Sequence, residues 1–229
     1  MSTKPALREL TENLWVAERP LPLIVGDIGA RMTVVRQPSG GLWLHSPIRL
    51  DEPTRAALDA IGPVEAVVAP SLMHHLFAGG YPKVYTDAAL YGAPKLDRKR
   101  ADLPFTATLG DEAPALWSST IEQHVFKGAP AINEVVFFHR PSATLILTDL
   151  AFNVPKGKPN GARLFHWLVG ATGRFGPHRI VRRTIRDRAA ARASVDRMLE
   201  WPFDRVIVSH GEVLETGGHA KLEQAFAWL

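Results

Sequence analysis

The sequence predicts a layered α/β fold. Three observations carry that expectation: apolar runs of strand length recur along the chain, helix-length segments with cap residues separate some of them, and histidines or an aspartate stand just past several of the runs. At 229 residues the chain can bury one sizeable core, so a single domain over residues 1–229 is expected. Hydrophobic residues make up 46% and charged residues 22%, an ordinary balance for a globular protein and one that excludes a disordered chain. No apolar run reaches the roughly 20 residues needed to span a bilayer. The first residues, MSTKPALRELTENLW, lack an apolar core followed by a small-residue cleavage site, so no membrane partner and a cytoplasmic location are expected.

In chain order, residues 7–36 read as strands broken by a turn at Gly26 to Gly29, and Pro38-Ser39-Gly40-Gly41 turns the chain into LWLHSPI. Pro47 ends that strand after His45. A helix opens at Asp51 or Glu52 with Pro53 in its first turn and stops at Gly62. Val64 to Ala69 is a buried strand, followed by the histidine-bearing SLMHHLFAGG. Lys83 to Tyr85 reads as a strand, Thr86 to Tyr91 as a short helix, and residues 92–115 as an exposed connection. Ile121 to Phe126 alternates as a strand, and EVVFFHR with TLILT forms a hairpin ending at Asp149. Asn153 to Gly161 is a loop expected to rim a pocket, and Arg163 to Val169 a short helix. Thr184 with Asp187 resembles a capping box opening a helix to Trp201. Arg205 to Val208 is the last strand, Ser209-His210-Gly211 follows it, and Lys221 to Leu229 closes the chain as a helix.

The chain has no cysteine, so any transition metal must be held by His, Asp or Glu. It carries +4 formal charge, and much of the excess lies between Arg174 and Arg197, a segment with only two aspartates. Without interleaved aromatics this reads as a solvated face, and nucleic acid is not an expected partner. His45, His74 with His75, Asp149 and His210 stand at strand ends, and His139 lies within EVVFFHR. Strand ends on one edge of a sheet converge in space, and imidazoles with a carboxylate suit zinc, iron or manganese, which acidify a bound water. The plain alternative is that each of these histidines is a hydrogen-bonded structural group. His124, His166, His178 and His219 are read that way. No GxSxG, Walker loop or GxGxxG occurs.

The segments LWLHSP, VVAPSLMHHLFAG, FFHRPSATLILTDL and VIVSHG, in this order, resemble the metallo-β-lactamase superfamily over about Leu10 to Trp228. RMTVVR, HHLF, TDLAFN and FDRVIVSHG are more closely similar to an uncharacterised branch of it, a domain of unknown function. The resemblance implies an αββα sandwich of two mixed β-sheets flanked by helices, with metal bound at one edge. Placed on the family's His-x-His-x-Asp-His loop, the first two histidines fall on Pro70 and Leu72, His74 takes the aspartate position and His75 keeps the final histidine. Asp149 matches the bridging aspartate, His210 the last histidine and His139 its counterpart loosely.

The expectation is therefore a reduced site holding one ion through His75, Asp149 and His210, with His139 as a further ligand and His45 or His74 as fourth ligand or proton shuttle. Its reaction would be hydrolysis of an ester, lactone, thioester or phosphodiester. The alternative is a metal-free descendant that binds a small molecule or a protein partner. A homodimer is also possible on the apolar EVVFF strand and the six tryptophans.

Overall fold

The computed structural model describes residues 6–24, 26–157 and 162–229. The first half of the chain contributes β1 (Arg8–Thr11), β2 (Leu14–Arg19), the short strands β3 (Pro22–Leu23) and β4 (Gly26–Asp27), β5 (Ala30–Arg36), β6 (Leu42–His45), α1 (Glu52–Asp59), β7 (Val64–Ala69), β8 (Ala89–Gly92), α2 (Leu96–Lys99) and β9 (Ala107–Thr108). The second half contributes β10 (Ile121–Val125), β11 (Val135–His139), β12 (Thr144–Ile146), β13 (Phe152–Asn153), α3 (Ala162–Leu168), β14 (Phe175–Gly176), α4 (Arg179–Thr184), α5 (Arg188–Leu199), β15 (Arg205–Ile207) and α6 (Gly218–Phe226).

Two mixed sheets result, in the strand orders β1-β2-β5-β6-β7-β8-β9 and β10-β11-β12-β15. Within them, β6, β7, β8 and β9 run parallel, as do β12 and β15, while the remaining pairs are antiparallel. Period-2 alternation assigns each strand's residues to layers. Val35, Trp43, Val68, Phe137, Ile146 and Ile207 meet in one cluster between the sheets. Their neighbours face outward: Val34, Leu44 and Val67 pack toward Leu58 of α1, and Phe138, Leu145 and Val206 toward Val195 of α5 and Leu222 of α6. The architecture is thus the αββα sandwich the sequence implied.

Local capping follows the sequence closely at α1, where the Asp51 carboxylate accepts from the Thr54 N–H and is held in turn by Arg19. Elsewhere the elements differ from expectation. Lys83 to Tyr85 is a turn closed by Val84 and Tyr85 N–H groups on the Tyr81 carbonyl. The strand comes later, at Ala89–Gly92, where buried Leu90 pairs with Val67. Residues 92–115 contain α2 and β9, which adds an edge strand to the larger sheet. The helix expected to open at Thr184 starts later: Thr184 is the last residue of α4, its hydroxyl donating to the Val181 carbonyl, and α5 begins at Arg188. Arg186 and Asp187 donate their N–H groups to Gly128 O, which turns the chain, and Asp187 caps α5 through Ala190 N–H.

His139 ends β11, where its ring is buried and its Nδ1 lies 2.7 Å from Ser142 Oγ. Burial pushes its pKa down to about 4. The unfolded chain therefore takes up this proton first as pH falls below 6.5, and stability drops with it. Between about pH 6.5 and 5 this histidine should cost up to about 2 kcal/mol. Urea unfolding over that range should give a shallower pH slope for His139→Gln than for the wild type; equal slopes would refute the assignment.

Candidate metal centre

The carboxyl ends of β6, β7, β12 and β15 lie along one edge of the sandwich, and each sends on one polar residue: Ser46, His74, Asp149 and His210. His74, Asp149 and His210 each offer a ligand atom, all within 4.8 Å of one another, so this group could hold one metal ion. Nε2 of His74 lies 3.3 Å from Asp149 Oδ2, and Nε2 of His210 lies 3.5 Å from Oδ1.

The surrounding contacts fit a cation between them. His210 Nδ1 is 3.0 Å from the Gly29 carbonyl, which can only accept, so Nδ1 carries a hydrogen and, in the neutral ring, Nε2 keeps its lone pair. Ser46 Oγ sits 2.8 Å from His74 Nδ1, and a hydroxyl can accept there, freeing His74 Nε2 in the same way. Asp149 Oδ2 is buried without an aligned hydrogen-bond donor among the described residues. Two imidazole lone pairs and an under-satisfied carboxylate oxygen aimed at one point form a ligand set suited to a divalent ion. Without an ion, burial works against both charges, yet the opposite charge prevails: Asp149 is held well below the usual carboxylate range by His74 and His210, and His74 is raised by Asp149.

Three further residues set this geometry. Glu134, buried at the head of β11, accepts the N–H groups of Thr148 at 2.6 Å, Asp149 at 2.8 Å and Leu150 at 3.1 Å. Burial, reinforced by Asp149 nearby, pushes its pKa up to about 7. Arg31 crosses from β5 to donate to the carbonyls of Val208 and Gly211, on either side of His210, while paired with Glu18. Phe152 stacks on the His210 ring at 5.4 Å between centroids. The sequence reading named none of these. Glu134 and Arg31 could have been flagged as charges set at the head of the apolar VVFF run and inside the RMTVV strand.

The structure redistributes the expected ligands. His75 is not in the group: consecutive residues of this turn point different ways, and its Nδ1 accepts from Arg100 at 3.0 Å while His74 faces Asp149. His139 is at the opposite edge, because β11 runs antiparallel to β12 and its end pairs with Thr144, where β12 begins. His45 stacks on Trp43 and meets Phe137 edge-on between the sheets, and its pKa is lowered by burial to about 3, so it stays neutral in the core. His178, read as structural, caps α4 through Val181 N–H. Of the expected pocket rim, residues 158–161 lie outside the described residues, and Asn153 to Lys156 line a different cavity.

A cavity of about 320 Å³ opens over the group. Leu21, Leu23, Ile28, Met73 and Leu76 make it mainly apolar, with Lys99 at its wall. His75 also lines it. Burial, then Lys99 and Arg100, lowers the His75 pKa, and since guanidinium only donates, the neutral ring carries its hydrogen on Nε2.

The chain has a metallo-β-lactamase-like fold and carries a three-residue group that could hold one metal ion. Solved structures similar to it include DIM-1 metallo-β-lactamase exposed to ceftazidime, at 15% identity over 99% of each chain with a TM-score of 0.67. The metallo-β-lactamase from Pontibacter korlensis matches at 15% identity over 96% of each chain, with a TM-score of 0.66. The mono-zinc form of FIM-1 from Pseudomonas aeruginosa matches at 13% identity, covering 97% of this chain and 94% of that one, with a TM-score of 0.63. No curated protein matches the sequence. The chain belongs to the family described as Domain of unknown function (DUF4336), which matches residues 11–167. That span includes His74 and Asp149 and stops short of His210.

Glu134→Gln replaces a charged acceptor of three N–H groups with an amide whose NH₂ must face at least one of them. It should destabilise the fold by about 2–3 kcal/mol in chemical denaturation. A loss under about 0.5 kcal/mol would mean that Glu134 does not hold the Asp149 turn.

Proposed function

We propose that this protein is a metal-dependent hydrolase with a mononuclear site formed by His74, Asp149 and His210. The observation that carries the reading is the His210 tautomer: a backbone carbonyl fixes the hydrogen on Nδ1 and turns the Nε2 lone pair toward Asp149. Two imidazoles and one carboxylate leave coordination positions open, the pattern of a catalytic rather than a closed structural site. When bound, a zinc, iron or manganese ion supplies Lewis-acid polarisation and acidifies water. The chain's own residues do the rest. Apolar walls from Leu21, Leu23, Ile28 and Met73 bind an apolar substituent and exclude water. Lys99 pairs with an anionic or developing negative oxygen, and His75 donates from Nε2 to the substrate. The substrate class is a small ester, lactone, thioester or phosphodiester.

A second reading is a metal-free protein that uses the same cavity to bind a small molecule. The His74–Asp149 contact favours it, since a protonated imidazole offsets the carboxylate without an ion.

Elemental analysis of protein purified without chelator or a nickel column separates the two. About one ion per chain is expected, lost in His74→Ala, Asp149→Ala and His210→Ala and retained in His75→Ala and His139→Ala. Zero metal after supplementation, with an unchanged melting temperature, would establish the metal-free reading. Retention in His74→Ala with loss in His75→Ala would return the site to the ligand set first read from the sequence.

A further inference from the structure

Successive residues of a strand face opposite sides. In β13, Phe152 stacks on His210, whereas Asn153 lines a second cavity of about 620 Å³. Lys156, Arg174, Arg182 and Lys221 also line it, and among the described residues no carboxylate does. These cations arrive from four places: the chain after β13, the approach to β14, α4 and α6. None has an ion-pair partner among the described residues.

Other arginines of the same dense segment are engaged. Arg192 pairs with Asp196, Arg197 with Glu200 and Glu122, and Arg188 donates to the Trp228 carbonyl. Arg174 and Arg182 instead face the cavity. Arg182 is the most constrained. Its guanidinium lies 4.8 Å over the Trp228 ring, and its buried Nε has no hydrogen-bond partner among the described residues. Burial and the nearby Arg174 both lower its pKa. Gathering like charges around an unsatisfied donor costs stability in the empty protein, and an anion would offset that cost.

We propose that this cavity binds a small polyanion of the diphosphate class. Arg174 and Arg182 present planar forks, Lys156 and Lys221 mobile point charges, and the Asn153 and Gln224 amides lie beside them. Phe175, Pro155 and Ala225 form an apolar wall for the part of the ligand that bears the anion. The volume falls within the range of roughly 300–1,000 Å³ usual for small-molecule sites. A concave site with one aromatic ring does not match a nucleic-acid track, which strings bases along a charged groove. The site stands apart from the metal group and does not depend on the hydrolase reading.

The test is calorimetric titration of the full chain with inorganic diphosphate at about 150 mM salt, where weak surface pairing is screened. One saturable site per chain is expected, weakened about tenfold or more in both Arg182→Gln and Lys221→Gln and retained in His210→Ala. Lys221 is exposed, so its variant keeps the test decisive where Arg182→Gln perturbs folding. Three results would overturn the proposal. One is no saturation up to millimolar diphosphate. Another is binding lost in His210→Ala but kept in both charge variants, which places the anion at the metal group. The third is displacement of diphosphate by a more tightly bound single-stranded oligonucleotide, which makes the surface a nucleic-acid site.

Discussion

The metal group depends on one buried carboxylate that is not part of it. Glu134 collects three consecutive N–H groups at the end of β12, donors that would otherwise be orphaned where the ladder stops. The turn so formed projects Asp149 between the two imidazoles. It also places two carboxylates close together in a poorly solvated place, which is why each affects the other: Asp149 helps raise Glu134, and Glu134 helps raise His74. Positive charge is needed beside Asp149 in any state of the protein. A protonated His74 supplies it in the absence of an ion, and a divalent ion would supply more of it while leaving both imidazoles neutral.

Topology brings the remaining parts to the same edge. Parallel β6 and β7 end where parallel β12 and β15 end, so residues far apart in sequence become neighbours. Arg31 then ties the larger sheet to the loop that carries His210, through the carbonyls on either side of it. Gly211 is part of this lock. Its φ of +95° and the Asn153 carbonyl, 2.2 Å from where a Cβ would stand, leave room only for hydrogen. The position of His210 is fixed from both sheets.

The sandwich was legible because RMTVVR, VVFF and TLIL are apolar runs of strand length, the pattern of strands that face a core on both sides. Asp149 and His210 were legible as polar residues directly after such strands. The choice between His74 and His75 was not, because adjacent residues of a turn differ only in direction, and direction depends on Ser71 Oγ taking the Met73 and His74 N–H groups. His139 lies apart from the group for a related reason: a histidine at a strand end reaches this edge only if its strand runs toward it, and β11 runs the other way. Residues 83–92 were misread because a short strand with one fully apolar buried position, Leu90, has too little pattern to separate it from a helical turn. Glu134 and Arg31 act through backbone groups far along the chain, and no local pattern announces such partners.

Charge distribution required the structure for the same reason. The excess of Arg over Asp between Arg174 and Arg197 suggests a uniformly basic helix, but α4 and α5 are separate, and their arginines have different fates. On α5, Arg192 and Arg197 find carboxylates on the same helix, at its end or on β10, so they add little to the external field. Four cations without an ion-pair partner among the described residues, Lys156, Arg174, Arg182 and Lys221, gather where α4, α6 and the segments flanking β13 and β14 meet. That cluster and the metal group are separated by β13, whose Asn153 donates its N–H to the His210 carbonyl and accepts from Glu212. The two-residue strand is both the wall of the cationic cavity and a hydrogen-bonded support of the last metal-group residue.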